Sequence, residues 1–403
     1  MDPKAKKLTT PEELVAHDMT CAIGFVGSQD MDQALQELIE NKDKPRRDDT
    51  WGALDENGDI FATMSNNIYS VEFDGHIVAA GGVGGVSSMP EFRSKGGIRS
   101  IFREQFKEMY QKGFLLSYLF PFSHPYYRQF GYELSCTQAM YEVEIEALKN
   151  YRCDLNVYMC RKDDPLDDLK AVHAEFIKGK NLAIHRRDDQ WWMAKGDPFK
   201  DRCYKYVFCD DNGKPRAYII FRPTKNEKKG NWDARVKDIA YLAPDDLKQI
   251  FGFMYRLRAQ YGTMYIELPE EVPMHSMVPE CYDVEKTLAP HGQMRIICVQ
   301  KALELMRCPE ESGRAVIRVE DPFLEENTGT YVLNFAEGHA ISVEKDDTAE
   351  PDIKLSIQRF SQLAIGFTDL AQATYLSDVQ IIQNRDTLEK LFVQKPIFFT
   401  DHF

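Results

Sequence analysis

A short basic turn in the first third of the sequence could hold a phosphate group; it reads Arg93-Ser94-Lys95-Gly96-Gly97-Ile98-Arg99. Apolar residues recur at helical spacing after it, which predicts a helix that starts near Gly96 and ends before Gly113. The first turn of a helix has unpaired N–H groups and carries the positive end of the helix dipole. Because the two glycines lack a Cβ, a pyrophosphate could approach this backbone closely. The turn therefore predicts a pyrophosphate site, although a strand-to-helix turn with solvated cations fits the same residues.

A glycine-rich segment just upstream offers a second phosphate hypothesis. Gly82-Val83-Gly84-Gly85 looks like part of a dinucleotide fingerprint. However, Ser87 occupies the third glycine position, no helix is predicted to open there, and no acidic residue ends a second strand about 20 residues later. The dinucleotide interpretation is therefore the weaker of the two.

Two neighbouring tyrosines, Tyr126 and Tyr127, could act as a proton donor. They lie on a short predicted helix that is entered through Pro125 and closed at Gly131, after the apolar strand Phe114 to Phe120. A phenol with a pKa near 10 is protonated at neutral pH and could protonate a leaving group. Neighbouring phenols on a helix point about 100° apart, so only one should reach a given atom. Aromatic packing at a sheet edge is the alternative.

The elements around these residues alternate between helices and strands. A helix is predicted to begin at Thr10-Pro11, and another covers Met31 to Asn41. Short apolar runs then predict strands that are separated by the hairpin turns Asn57-Gly58 and Asp74-Gly75. The basic turn and its helix follow the last of these strands. This order predicts a mixed sheet that places the turn at a strand end.

Composition limits the possible functions. A chain of 403 residues and 46.5 kDa predicts two or three domains. A net charge of −14 argues against nucleic-acid or anionic-membrane binding and is compatible with cationic substrates. The nine cysteines are scattered without a C-x-x-C pair, so we expect reduced thiols and no metal site. The absence of a signal-peptide pattern and of any long apolar run predicts a cytoplasmic protein.

The basic turn resembles the coenzyme A loop R/Q-x-x-G-x-G/A of GNAT acetyltransferases, except that Ile98 replaces the last Gly or Ala. The segment from Tyr127 to Tyr132 resembles the Y-x-x-F-G-Y element of one GNAT branch. With the apolar terminus that ends in Phe403, the chain resembles the enhanced-intracellular-survival acetyltransferases. The resemblance implies two tandem GNAT-like domains followed by a sterol-carrier-protein-like α+β domain. We expect their limits at residues 1–150, 151–293 and 294–403.

The middle and last thirds of the sequence agree with this organisation. Residues 238–268 repeat the order strand, helix, strand, but Pro244-Asp245-Asp246 replaces the basic turn. Carboxylates would repel a pyrophosphate, so we expect that the second domain has lost coenzyme A. The last third predicts an α+β block whose expected role is structural, with a lipid site as the less favoured alternative.

The resemblance also implies an activity: transfer of an acetyl group from acetyl-coenzyme A to a primary amine by direct attack, without a metal. The implied general acid is Tyr127, with Tyr126 left open as its rival, and the implied general base is the α-carboxylate of Phe403. The expected cofactor-binding residues lie on the strand end, the basic turn and the start of the aromatic helix: Val86, Ser87, Ser88, Arg93, Ser94, Lys95, Gly96, Gly97, Ile98, Arg99, Phe122 and Ser123.

The acceptor and the assembly are less well defined by the sequence. Family members acetylate aminoglycosides, and lysine-bearing peptides or proteins are the alternative acceptors. The residues before the terminus, Asp401 and His402, depart from the acidic residue that precedes the final Phe in a well-known member. The resemblance implies a homohexamer. A non-catalytic small-molecule or lipid carrier that uses the C-terminal domain is the alternative function.

Overall fold

The computed structural model describes residues 3–27, 30–41, 48–227, 230–399 and 401. The strands of this part of the chain are Lys4–Lys7 (β1), Asp48–Leu54 (β2), Ile60–Phe73 (β3), His76–Ser88 (β4), Leu116–Leu119 (β5), Glu133–Leu134 (β6), Thr137–Glu144 (β7), Asn156–Met159 (β8), Tyr204–Cys209 (β9), Pro215–Lys225 (β10), Trp232–Tyr241 (β11), Tyr261–Glu267 (β12), Val284–Pro290 (β13), Gln293–Ile296 (β14), Gly313–Glu320 (β15), Gly329–Ala336 (β16), His339–Lys345 (β17), Ile353–Ser356 (β18) and Val379–Ile381 (β19). Its α-helices are Pro11–Gly24 (α1), Met31–Glu40 (α2), Gly97–Gln111 (α3), His124–Arg128 (α4), Asp167–Phe176 (α5), Pro244–Arg256 (α6), Met274–Met277 (α7), Val299–Leu305 (α8), Ile357–Ile365 (α9), Leu370–Ala373 (α10) and Arg385–Leu391 (α11).

The chain divides into two compact units. The first consists of residues 1–136, 291–397 and 401–403, and the second of residues 137–290 and 398–400. The first unit contains a sheet in the order β1-β2-β3-β4-β5-β14-β6 and a smaller sheet in the order β17-β16-β15-β18-β19. The second unit contains a sheet in the order β13-β7-β12-β11-β10-β9-β8.

The amphipathic helix predicted after the basic turn is confirmed as α3. Its apolar residues, which include Ile98, Ile101, Phe102 and Phe106, are buried in a core with residues of β2 and β3. The helix α1 begins at Pro11 as predicted, and Thr10 caps it: the Thr10 hydroxyl accepts from the Glu13 N–H, and the Glu13 carboxylate accepts from the Thr10 N–H. The helix α3 therefore has one face fixed by burial and its N-terminus at the end of β4.

The second unit repeats the order strand, helix, strand with β11, α6 and β12. β11 and β12 are parallel, as are β4 and β5 in the first unit. Apolar residues of α6, including Ile250 and Phe251, pack in a core with β7, β10 and β12. The repeat that the sequence predicts in residues 238–268 is therefore present.

Two strands lie near the expected domain limits. β7, which the expected first domain 1–150 contains, pairs with β12 and β13 in the second unit. β14, which begins at the expected limit of residue 293, pairs with β5 and β6 in the first unit. Backbone pairing over long sequence separations decides this membership, whereas the local apolar pattern does not encode it. The limits of the domains as folding units stay a prediction.

None of the helices in the described ranges has the length and apolar character needed to cross a bilayer.

Candidate active site

The strand β4 continues past the end of its parallel neighbour β5. They pair from Ala80–Leu116 to Val83–Leu119, but β4 continues beside β3 as far as Ser88. Two residues of β4 oppose one of β3 between the pairs Ser65–Gly84 and Thr63–Ser87, and Gly85 within this bulge has a positive φ of 58°. A wedge opens there between the end of β4 and the segment that follows β5.

A cavity of about 800 Å³ lies at this wedge. Its walls come from the end of α1, the end of β4, the basic turn, the first turn of α3 and the segment that contains α4. The lining residues are Gly24, Phe25, Val86, Ser87, Ser88, Phe92, Arg93, Ser94, Lys95, Gly96, Gly97, Ile98, Arg99, Phe122, Tyr126, Gln129 and Phe130. The cavity thus combines a strand end, a helix N-terminus and an aromatic wall.

The basic turn gives one end of the cavity a positive potential. Arg93, Lys95 and Arg99 are exposed there, and none of the lining residues that the structure describes carries a carboxylate. The first turn of α3 has no acidic residue, and its N–H groups lack intrahelical acceptors. Three cations and the positive end of a helix dipole can together hold a diphosphate.

The two glycines of the turn have different structural roles. Gly96 is the N-cap of α3 with a φ of +83°, a conformation that favours glycine. A Cβ on Gly97 would lie 2.6 Å from Phe61 Cε2 and 2.8 Å from Ala62 Cβ. Gly97 therefore allows α3 to pack closely against β3, a role that the local sequence pattern does not indicate.

Arg99 joins the turn to the aromatic wall. Its Nη2 donates to Gln129 Oε1 at 2.8 Å, and its guanidinium carbon lies 5.6 Å from the centre of the Phe130 ring. The stacked and bonded guanidinium is held in place. A phosphate at the start of α3 would therefore meet a positioned cation.

The two tyrosines of α4 differ in exposure. Tyr126 is half-buried and lines the cavity, whereas Tyr127 is 3% exposed and packs beneath it, with its ring centre 5.4 Å from that of the exposed Phe122. Burial raises the pKa of both phenols above the ordinary value near 10. Both hydroxyl groups are therefore protonated at neutral pH and can serve only as proton donors there.

The structure brings most of the sequence-predicted residues together. Every expected cofactor-binding residue except Ser123 lines the cavity, and Ser123 is the N-cap of α4. Tyr127 lies beside the lining, while Phe403 falls outside the described residues. Sequence reasoning missed Gly24, Phe25, Phe92, Gln129 and Phe130 as lining residues. Phe25, which is 64% exposed, directly follows α1, and no local pattern connects it with a site 60 residues later.

The corresponding wedge in the second unit has different chemistry. β11 continues to Tyr241 beyond its last pair with β12, at Arg235–Tyr265. The helix α6 then starts with Pro244, which has no N–H group, followed by Asp245 and Asp246. Asp246 accepts from Arg216 Nη2 at 2.9 Å, and Asp245 pairs with Lys248 at 2.7 Å. Carboxylates already occupy this helix start, so the loss of coenzyme A from this domain stays our prediction.

Comparison with known proteins identifies the domains. Residues 20–135 and residues 183–296 each match a family described as "Acetyltransferase (GNAT) domain", and residues 299–400 match "Sterol carrier protein domain". A search of curated protein sequences finds no match.

Several solved structures are similar over nearly the whole chain. A conserved protein from Enterococcus faecalis V583, described as a probable N-acyltransferase, is 21% identical with a TM-score of 0.86, and the match covers all of both chains. A GCN5-related N-acetyltransferase from Anabaena variabilis is 18% identical with a TM-score of 0.84, covering 99% of this chain and 100% of that one. Eis1 from Mycobacterium abscessus is 16% identical with a TM-score of 0.81, with the same coverage. At these identities, the likeness establishes the fold.

The order of the matched domains confirms the predicted fold class, and the cavity lies in the first of them. The chain is an acyltransferase with two GNAT domains followed by a sterol-carrier-protein-like α+β domain.

Proposed function

We propose that this enzyme transfers the acetyl group of acetyl-coenzyme A to a primary amine. The observation that carries the proposal is the cavity between the end of β4 and the segment after β5, which joins a strand end to the cationic N-terminus of α3. Coenzyme A needs these two partners in the same order: its pantetheine arm carries amides that can pair with a strand end, and its pyrophosphate is an anion that a cationic helix N-terminus can bind. In this proposal, Val86, Ser87 and Ser88 pair with the pantetheine, and residues 93–99 hold the pyrophosphate.

The reaction would be a direct acyl transfer. The unprotonated amine attacks the thioester carbonyl, a C–N bond forms, and the C–S bond breaks. The departing thiolate takes a proton from a phenol, and the nitrogen loses its extra proton to a base. Since this route forms no acetyl-enzyme, we assign none of the nine cysteines a nucleophilic role.

We assign the proton donor to Tyr127 and retain Tyr126 as the alternative. Tyr127 corresponds to the tyrosine of the Y-x-x-F-G-Y element, and its raised pKa keeps it protonated. Tyr126 has the more direct access to the cavity. Because Phe122 contacts both rings, at 5.1 Å from Tyr126 and 5.4 Å from Tyr127, its rearrangement on donor binding would expose either phenol.

We assign the base to the α-carboxylate of Phe403. The preceding segment is docked in the second unit: the Phe398 N–H donates to Asn181 O at 3.1 Å, and its ring packs on Phe176 at 5.2 Å. A carboxylate with a pKa near 3.5 is a weak base toward an ammonium, so it would orient the acceptor or act through a water. Adding residues after Phe403 should then abolish turnover, and an unimpaired tagged enzyme would remove the terminus from the mechanism.

The proposed class of acceptor rests on the net charge of the chain and on its resemblance to the enhanced-intracellular-survival acetyltransferases. A net charge of −14 favours a cationic amine. Aminoglycosides are our first acceptor class, although His402 before the terminal residue departs from the related pattern. We further propose a cytoplasmic homohexamer. The alternatives are a peptide-lysine acetyltransferase and, from a different class, a lipid carrier that uses the C-terminal domain.

The deciding experiment follows thiol release from acetyl-coenzyme A with aminoglycosides, polyamines and lysine peptides as acceptors. Turnover with any amine supports the proposal and identifies the acceptor class. Coenzyme A binding without turnover points to a missing acceptor. Failure to bind coenzyme A overturns the proposal and favours the carrier.

A further inference from the structure

A fully buried arginine connects the C-terminal domain to the segment that carries the two tyrosines. Arg295 lies in β14, between β5 and β6, and its side chain is 0% exposed. Its Nη1 donates to the carbonyl oxygen of Phe130 at 2.6 Å, and its Nη2 pairs with Asp321. The guanidinium carbon also lies 4.5 Å from the centre of the Phe106 ring. One charged group thus holds a carbonyl only three residues after Tyr127.

Asp321, the partner of Arg295, is itself held by the C-terminal domain. It accepts from Asn327 Nδ2 at 3.0 Å and from the N–H groups of Phe323 and Leu324 at 3.2 and 3.0 Å. A buried ion pair persists only when its remaining hydrogen-bonding capacity is also used. These bonds make the position of Arg295 depend on the fold of the loop after β15.

The helix α9 makes a second set of bonds to the same segment. Gln358 Nε2 donates to Arg128 O at 3.0 Å, and Gln362 Nε2 donates to Leu134 O at 2.7 Å. Arg359 Nη2 pairs with the buried Glu133 carboxylate at 3.1 Å. The C-terminal domain therefore supplies donors to backbone carbonyls on both sides of Phe130.

The turn after α4 packs tightly against Arg295 and against the start of α9. Gly131 has a φ of +86°, and a Cβ there would lie 2.6 Å from Arg295 Nη1 and 3.1 Å from the Ile357 side chain. The helix α4 has only five residues, too few to be stable alone. Its orientation must therefore come from the contacts around it.

We propose that the sterol-carrier-type domain is a brace that positions the tyrosines of α4. Its own Gln358 and Gln362 act as positioning residues, and so does Arg295 of β14, which Asp321 of that domain holds in place. The proposal rests on the proposed acyl transfer, in which one of these phenols donates a proton. The same helix α9 buries Ile357, Phe360 and Leu363, so its apolar residues are occupied by internal packing. In this view, the domain contributes to catalysis through geometry and not through a ligand of its own.

The first test measures amide hydrogen exchange in the double variant Gln358→Ala/Gln362→Ala, which keeps both residues of the buried Arg295–Asp321 ion pair. The amides of Phe130, Gly131 and Tyr132, which bond within the turn, should exchange about tenfold faster. Amides at the start of α3 should be unchanged. The matched control is Gln300→Ala/Gln394→Ala, because both glutamines are exposed and bond within the same domain. Unchanged exchange in the turn overturns the brace, whether or not an acceptor is known.

The second test is a double-mutant cycle on turnover. In the wild-type background, the glutamine variant should lower kcat about tenfold while the Kd of coenzyme A stays within twofold. In the background in which the phenol that acts as acid is replaced by Phe, the same variant should cause no further loss. An equal loss in both backgrounds would mean general disorder and would overturn the positioning role. If turnover is unaffected in both Tyr126→Phe and Tyr127→Phe, the acid assignment fails, and this outcome is separate from the exchange result.

Discussion

The environments of Tyr126 and Tyr127 explain why sequence alone leaves the proton donor open. The two rings pack edge to face with centres 5.1 Å apart, and both contact Phe122. Tyr127 is buried beside Phe102 and Tyr132, whereas Tyr126 reaches the cavity and lies near the charge of Arg99, which lowers its pKa in opposition to the larger effect of burial. Access to the cavity favours Tyr126 as the proton donor, whereas the Y-x-x-F-G-Y element favours Tyr127.

The first prediction concerns these two phenols. Tyr127→Phe should lower kcat at least about 100-fold, because a general acid contributes about that much or more. The Kd of coenzyme A should stay within about twofold, since the hydroxyl does not line the cavity. Steady-state kinetics and calorimetric binding check both numbers.

Tyr126→Phe is the matched control, since it removes one hydroxyl from the neighbouring position of the same helix. We expect a much smaller loss of kcat for it. If Tyr126→Phe is inactive and Tyr127→Phe turns over normally, the proton donor is Tyr126.

At the scale of the elements, the start of α3 depends on close packing against β3 as well as on its charge. Gly97 is buried between the helix and the side chains of Phe61 and Ala62. The basic turn and the sheet are therefore a single packed structure, so a change in this packing should also change the affinity for coenzyme A.

The second prediction is that Gly97→Ala destabilises the first unit by about 1–3 kcal/mol, since overpacking of this size usually costs that much. Displacement of α3 should also weaken coenzyme A binding. Urea unfolding and calorimetric binding test both effects. Gly27→Ala is the control, because a Cβ there would meet its nearest atoms only at 3.7 Å, an ordinary contact. Equal effects of the two substitutions would contradict this account of Gly97.

The third prediction concerns a buried histidine on α5. Burial, with a further contribution from the charge of Arg186, lowers the pKa of His173 to about 3. Its unfolded pKa is near 6.5, so below that pH the unfolded state binds one proton more than the folded state. The stability of the second unit should therefore fall as the pH drops from about 6.5 toward about 3, with a loss of about 2 kcal/mol by pH 5.

Urea unfolding followed by tryptophan fluorescence suits this measurement. The ring centres of Trp191 and His173 lie 5.3 Å apart, and three of the four tryptophans belong to the second unit. His173→Leu should remove this part of the pH dependence. His275→Gln, at an exposed position, should leave it unchanged. A pH profile that His173→Leu does not alter would show that other groups cause the effect.

At the scale of the whole molecule, the two units have separate apolar cores. One core surrounds α3 and includes Ile297 and Leu324 from the C-terminal part of the chain, while another surrounds α6. Within the part of the chain that the structure describes, every residue that lines the candidate cofactor cavity belongs to the first unit. Binding and stability should therefore be coupled within that unit.

The fourth prediction follows from this separation. Coenzyme A at about 100 times its Kd should stabilise the unit that binds it by about 2.7 kcal/mol, which slows globally limited amide exchange about 100-fold. We expect this protection in β4 and α3 but not in β10 and β11. Hydrogen exchange with mass spectrometry measures both units in one sample. Equal protection of both units would mean that the chain unfolds as a single cooperative structure.

Local chemistry made much of this organisation predictable. The spacing of Ile98, Ile101, Phe102 and Phe106 predicted α3, and the cationic glycine turn before it predicted the cavity wall. The strand, helix and strand repeat in residues 238–268 predicted the second domain in the same way. Such elements can be predicted from the sequence because the pattern of each helix, strand or turn is set by residues that are close together in the chain.

Contacts between distant residues could not be predicted in this way. Phe25 and Gln129 line the cavity from segments far apart in the chain, and β14 enters the first sheet from residue 293. The guanidinium of Arg295 meets Phe130 only because that strand lies between β5 and β6. Sequence alone thus determined the order of the domains and the chemistry of the basic turn. The tertiary structure alone decided which side chains meet there and what holds the tyrosines, because strand pairing and burial act between residues that the sequence keeps apart.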